Sequence, residues 1–283
     1  MRHLHLHFAD FDTANDLFDI LCACPKLSSL CLSHVHCDNS ENPPVFNVVS
    51  LQPVVLKELS LENTQSEIMT WLTHSPFQLS LQSLQALWDD SSDESCLASV
   101  EHVLKTVGTS LQNIKLGVTV WRSQIDLSWN EQLSNLHLQI RMGSVRALEV
   151  DAIFHLKFRH RCDHDMLSST YESISSALAS VCSRQLHDID FVFEFHKGGD
   201  LSALDWEKID EHLERLARMR AFPEQLQVLF RLNFVNQDET AESYSADTIK
   251  RRLPRLLTSS AKVDITTVTA GWLESSSIHP WRY

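Results

Sequence analysis

Apolar residues in the first half of the chain recur in one phrase. An apolar residue is followed by two variable positions, an apolar residue, one variable position and an apolar residue. The phrase appears as Leu27, Leu30 and Leu32, as Leu56, Leu59 and Leu61, as Leu111, Ile114 and Leu116, and as Leu133, Leu136 and Leu138. Leu81, Leu84 and Ala86 form a variant with alanine in the last slot. The chain opens inside another copy at Leu4 and Leu6. The middle apolar positions, 4, 30, 59, 84, 114 and 136, are 26, 29, 25, 30 and 22 residues apart. Those steps fall in or beside the period of about 20–29 residues of leucine-rich repeats.

Alternation inside the phrase predicts a short strand with one buried and one wet face. A repeat that translates along an axis needs parallel strands, and these need a crossover of about a dozen residues or more. The intervening segments supply helical crossovers. Thr13–Cys24 carries Leu17, Phe18, Ile20 and Leu21 at helical spacing and stops at Pro25. Ser66–His74 carries Ile68, Met69, Trp71 and Leu72 and stops at Pro76. Ser95–Val107 carries Leu97, Val100, Val103, Leu104 and Val107, with Gly108 placed as a C-cap. No unit buries its apolar face alone, so stacking is obligatory.

After about residue 142 the phrase fades, but strands and helices still alternate. Leu167, Tyr171, Ile174, Leu178 and Val181 predict a helix, and Leu186–Phe195 a strand. Trp206–Met219 reads as a helix N-capped by Asp205, and Leu226–Val235 as a strand. Ala246–Leu257 reads as a short helix broken or bent at Pro254, followed by a last strand at Val263–Val268. Asp38–Pro44 and Asp89–Glu94 read as surface loops, and no long Pro/Gly/Ser linker divides the chain. The expectation is one α/β domain over residues 1–283, a leucine-rich-repeat-like solenoid with parallel strands on its concave face and helices on its convex face. Residues 1–142 hold the clearer repeats and residues 143–283 divergent strand-helix units.

Composition narrows the partners. Apolar residues make up 43% of the chain, enough for a sizeable core. No apolar run approaches membrane-spanning length, and the first residues lack a signal-peptide pattern, so a cytoplasmic or nuclear location is expected. Seven cysteines, odd in number and irregularly spaced, predict buried reduced thiols. The net charge is −13. Residues 1–140 hold 16 acidic and 6 basic side chains, and residues 141–283 hold 21 and 18. Such a surface repels phosphate backbones and anionic lipid, so nucleic acid and membrane are not expected partners and a basic protein surface is.

Candidate chemistry is sparse. His3, His5 and His7 alternate with Leu4, Leu6 and Phe8; the three imidazoles could meet a metal, but a wet strand side opposite a core side is the plainer reading. His160, Cys162 and His164 share a polar segment that reads as a solvated loop. Cys22 and Cys24 read as a buried helix end, and His34, His36 and Cys37 as a turn. Lys250, Arg251, Arg252 and Arg255 read as a charged helix face rather than a localisation signal. Nucleophile-elbow, dinucleotide, Walker and His-Glu-x-x-His motifs are missing, so no catalytic, cofactor-binding or metal-ligating residue is expected and the chain reads as a non-enzyme.

The run from Leu17 to Leu32, in which a helix ends in Cys24-Pro25 and leads straight into the next strand phrase, resembles the leucine-rich region of fungal F-box proteins. Asp205–Leu213 resembles a late helix of mushroom members of that family. The resemblance implies an adaptor whose F-box docks on the Skp adaptor of a cullin-RING ubiquitin ligase while its repeats hold a ubiquitination substrate. The chain starts inside a repeat with no F-box ahead of it, so a Skp-type partner is expected only where an upstream F-box exists. A fragment, or a chain that binds without recruiting a ligase, is the corresponding expectation. A stand-alone repeat scaffold and an enzyme with an unrecognised site are the alternatives.

On this reading the partner protein meets the strand residues flanking the buried leucines. They are His5, His7, Ser29, Ser33, Glu58, Glu62, Gln85, Lys115, His137 and Gln139. The set is polar, suits hydrogen-bonded recognition and lacks an aromatic anchor.

Overall fold

The computed structural model describes residues 1–38, 44, 53–74, 76–87, 94–118, 125–142, 174–195, 201, 204–220, 225–234 and 246–269. Nine strands form one sheet: β1 (His3–Phe11), β2 (Ser29–Cys37), β3 (Val54–Glu62), β4 (Phe77–Leu87), β5 (Asn113–Val118), β6 (Asn135–Met142), β7 (Asp188–Phe195), β8 (Gln227–Phe234) and β9 (Lys262–Thr269). Every neighbouring pair is parallel, and the order across the sheet is the order along the chain. Helices lie in the crossovers: α1 (Ala14–Cys22), α2 (Ser66–Trp71), α3 (Glu94–Val107), α4 over 174–180, α5 (Trp206–Met219), α6 (Ala246–Arg252) and α7 (Pro254–Thr258). The described residues thus form an α/β protein with a nine-stranded all-parallel sheet in a solenoid-like order, its strands falling at the six apolar phrases and the three later strand segments of the sequence.

The repeated phrase sets the register. Leu4, Leu30, Leu59, Leu84, Ile114, Leu136, Ile189, Val228 and Val263 stand opposite one another in a single row. Two residues on, Leu6, Leu32, Leu61, Ala86, Leu116, Leu138, Phe191, Phe230 and Ile265 form a second row. A slip of one residue would turn both rows to the opposite face, so the pattern specifies the pairing strongly. The divergent second half keeps the same two rows with β-branched and aromatic residues in place of leucine.

Helix side chains close over these rows. Leu17, Phe18 and Leu21 of α1, Ile68 and Met69 of α2, Val103 and Leu104 of α3, Ile174 and Leu178 of α4 and Ile209 and Leu213 of α5 join both rows in one continuous core. Burying each such side chain contributes about 1.5–3 kcal/mol. Phe18 packs edge-on to Trp71 and Phe77 in the first half. Phe191, Phe193 and Phe230 stack in the second, with Trp206 against them. At the two edge strands Leu4, Leu6, Val263 and Ile265 are only half-buried, because each has a strand neighbour on one side alone.

Polar side chains fasten the crossovers. Thr13 and Asp16 form a capping box on α1, with Thr13 N donating to Asp16 Oδ2 at 3.0 Å. Asp205 caps α5 by accepting from Lys208 N, as its position predicts. Gly108 takes φ +49° just past α3, the left-handed conformation of a helix-ending glycine. Asn130 Nδ2 then donates to Leu104 O and Gly108 O at that helix end. Arg215 reaches from α5 to the carbonyls of Leu178, Ala179 and Val181 at the end of α4. Asp210, buried on α5, accepts from the N–H groups of Arg255 and Leu256 at the start of α7.

Several expectations change. The helix expected to run to His74 ends at Trp71, and the break at Pro254 produces two separate helices. Ile20, expected with the apolar stripe, points to solvent at 42% exposure. Of the cysteines with described side chains only Cys37 is fully buried, while Cys22, Cys24, Cys31 and Cys182 are half-buried. Leu167, Tyr171, His160, Cys162, His164 and nearly all of the two expected surface loops lie outside the described residues.

Candidate functional site

The face of the sheet opposite the helices carries rows of polar residues in the same register. The first runs His3, Ser29, Glu58, Ser83, Asn113, Asn135, Asp188, Gln227 and Lys262. The second runs His5, Cys31, Ser60, Gln85, Lys115, His137, Asp190, Leu229 and Asp264. The third runs His7, Ser33, Glu62 and Leu87 over β1 to β4, and Gly117, Gln139, Val192, Arg231 and Thr266 over β5 to β9. All ten residues expected at the interaction surface stand in these rows. His5, His7 and Glu58 are exposed, whereas Ser33 and Gln85 are buried within the face.

The middle of the face is a network of polar contacts. Ser33 Oγ donates to Glu62 Oε2 at 3.1 Å, and Gln139 Nε2 to Glu194 Oε1 at 2.8 Å. Asp190 Oδ2 meets both His137 Nδ1 and Arg231 Nη2 at 2.9 Å, while Asp190 Oδ1 is buried without a hydrogen-bond partner. Burial lowers the pKa of the Lys115 ammonium below the usual lysine range; Glu62, Asp190 and Glu194 pull it back up, and Arg231 adds to the lowering. Cys31 keeps its thiol proton beyond the ordinary range because of burial, with Glu62 adding to the effect and Ser60 opposing it. Gly117 allows the close approach that holds Leu87 over β5: a Cβ there would lie 3.1 Å from Leu87 Cδ2.

At the β1 end the alternation breaks. Phe8, His34 and Asn63 have φ of +49°, +52° and +45°. Each follows one of the register-matched residues His7, Ser33 and Glu62. A left-handed non-glycine residue in a strand costs roughly 1–2 kcal/mol and reverses the next side-chain direction. Leu6 and Ala9 therefore pack against the core while His7 and Phe8 between them are exposed. Phe8, expected in the core beside Leu4 and Leu6, is instead 70% exposed. Its ring stacks on His34 at 4.5 Å and 15° and meets His7 edge-on at 4.2 Å.

Comparison with family models, curated proteins and solved structures returns no match to this chain. The site therefore stands on its own geometry. Among the described residues no group of three or more His, Cys, Asp or Glu side chains is placed to hold a metal ion. No described helix is long and apolar enough to cross a membrane. The basic run Lys250–Arg252 occupies the exposed last turn of α6, and Arg255 points toward Glu207 and Glu211 of α5.

Sequence reasoning located Glu62, Lys115, His137 and Gln139 but missed Asp190, Glu194 and Arg231, which complete their contacts. The available signal was the alternation of Asp188, Asp190 and Glu194 with apolar residues in β7. Phe8 and His34 had no such signal, since neither position is a glycine.

Proposed function

We propose that this chain is a protein-binding scaffold of leucine-rich-repeat type, and that it serves as the substrate-holding region of an F-box-type ubiquitin ligase adaptor. One observation carries the binding reading. Between the two edge strands the apolar rows are covered by helices, while the opposite rows are mostly polar and partly open. Eight strand steps of about 4.8 Å make that face about 38 Å across, enough for a segment of a protein partner. The network around Asp190 holds its side chains in fixed orientations, which lowers the entropy lost when a partner docks. The adaptor assignment rests on the Cys24-Pro25 junction and the α5 sequence described above.

Affinity purification with mass spectrometry tests the assignment, using this chain and the longest product of its locus. Skp-type and cullin peptides recovered with an upstream-extended product, and absent with the 283-residue chain, are the expected result. Neither peptide appearing with either form, while other proteins are enriched, would replace the ligase role with a stand-alone scaffold.

A further inference from the structure

We infer that the open sheet face docks a basic, extended segment of its partner, with Phe8 as the aromatic anchor at one end. This deepens the binding reading and rests on it. The first observation is an inventory of polar groups. Three cations with described side chains on the face are engaged: Arg231 pairs with Asp190 at 2.9 Å, Lys262 pairs with Asp264 at 2.9 Å, and Lys115 sits among Glu62, Asp190 and Glu194. Several carboxylates of the face lack such a partner. Asp10, Glu58 and Asp188 are exposed without an ion pair among the described residues. Beside these three carboxylates stands Lys57, exposed next to Glu58. Cations from another molecule complement these carboxylates, and the chain's net charge of −13 attracts them over a longer range.

Geometry fits the same occupant. Glu58 and Asp188 share one row on β3 and β7, four strand steps or about 19 Å apart, which an extended segment of about six residues spans. Half-buried Asp190 lies on the same strand as Asp188, two residues along.

The second observation is independent of charge. Phe8 is turned outward by an unfavourable φ of +49° and held by the His34 stack, although an exposed phenylalanine does nothing for the fold. Its free face suits an arginine or lysine side chain through cation–π contact. Strained backbone, an exposed aromatic and a surplus of acceptors thus lie on one face.

The probe is a fluorescein-labelled octapeptide of alternating arginine and serine, titrated against the full chain by fluorescence anisotropy, with an alternating glutamate and serine peptide as its counterpart. The arginine peptide is expected to bind, more weakly as salt rises, and the glutamate peptide not to bind. Glu58→Gln with Asp188→Asn should weaken binding about tenfold, and Phe8→Ala at least about threefold, with unchanged melting temperatures. Glu67→Gln with Glu207→Gln, on α2 and α5, removes the same charge from the helix side and should change binding less than about twofold. Equal losses from both pairs, or no loss from Phe8→Ala, would overturn the inference by reducing it to net charge. If cellular partners depend on the open face while the arginine peptide does not, the basic-segment assignment falls and the binding reading survives.

Discussion

Replacing Phe191 with alanine is expected to lower the unfolding free energy by about 3–5 kcal/mol. Its side chain is fully buried in the second apolar row, between Leu138 and Phe230. The ring lies 5.0 Å from that of Phe230 and 6.2 Å from that of Phe193, nearly parallel to both. Those neighbours are held by Trp206 and by their own strands, so the space left by the ring cannot collapse. Phe191→Leu, which retains much of the volume, should lose about 1–2 kcal/mol. Urea unfolding at an unchanged m-value measures both. Phe8→Ala is the internal contrast: an exposed ring in the same sheet should lose less than about 0.5 kcal/mol. Similar losses at Phe8 and Phe191 would contradict the assignment of one residue to the open face and the other to the core.

Asp210→Ala carries the second large effect, about 3 kcal/mol. Both carboxylate oxygens accept backbone N–H groups at 2.9 Å, from Arg255 and Leu256 in the first turn of α7. Hydrogen bonds to a charged group contribute about 1.5–3 kcal/mol each, and alanine leaves the buried Leu256 N–H without an acceptor. The carboxylate also lies at the positive end of the short helix and replaces the cap that Leu253 cannot supply. Loss of Asp210 should free α7 from α5 before the rest of the chain unfolds. Hydrogen exchange read by mass spectrometry should show protection falling first over 254–258, with Asp210→Asn intermediate because one acceptor oxygen remains. Uniform loss of protection across all nine strands would show that α7 is not separately fastened.

Both effects bear on what the sequence could reveal. The rows through Leu30 and Leu32 were legible because two-residue alternation has only one register that buries leucine. Ile189, Val228 and Val263 were legible as strand residues, but their place in the same rows depends on pairing, which chain spacing does not encode once the crossovers lengthen. Asp210 looked like any acidic residue on a charged helix, and its role appears only when Pro254 starts a new helix against it. The strongest departure is Phe8. Period-two reading assigns it to the core, and only the left-handed backbone at Phe8, His34 and Asn63 reverses that assignment. Nothing in the side chains announces such a conformation. The same limit explains the partial view of the site: Lys115 and His137 follow from alternation in the clear repeats, whereas Asp190 and Arg231 reach them from the divergent half.

One face of the parallel sheet packs under the helices and the other is largely polar, and that second face is the proposed binding surface. Quantitative capture with paired variants tests this most directly. One variant carries Glu58→Ala, Glu62→Ala and Lys115→Ala on the open face; the other carries Glu67→Ala, Glu101→Ala and Glu207→Ala on the helices. Proteins enriched by the wild-type chain should be lost with the first variant and kept with the second, both variants being folded by circular dichroism. Capture that survives the open-face changes, or fails only with the helix-face changes, would contradict the account.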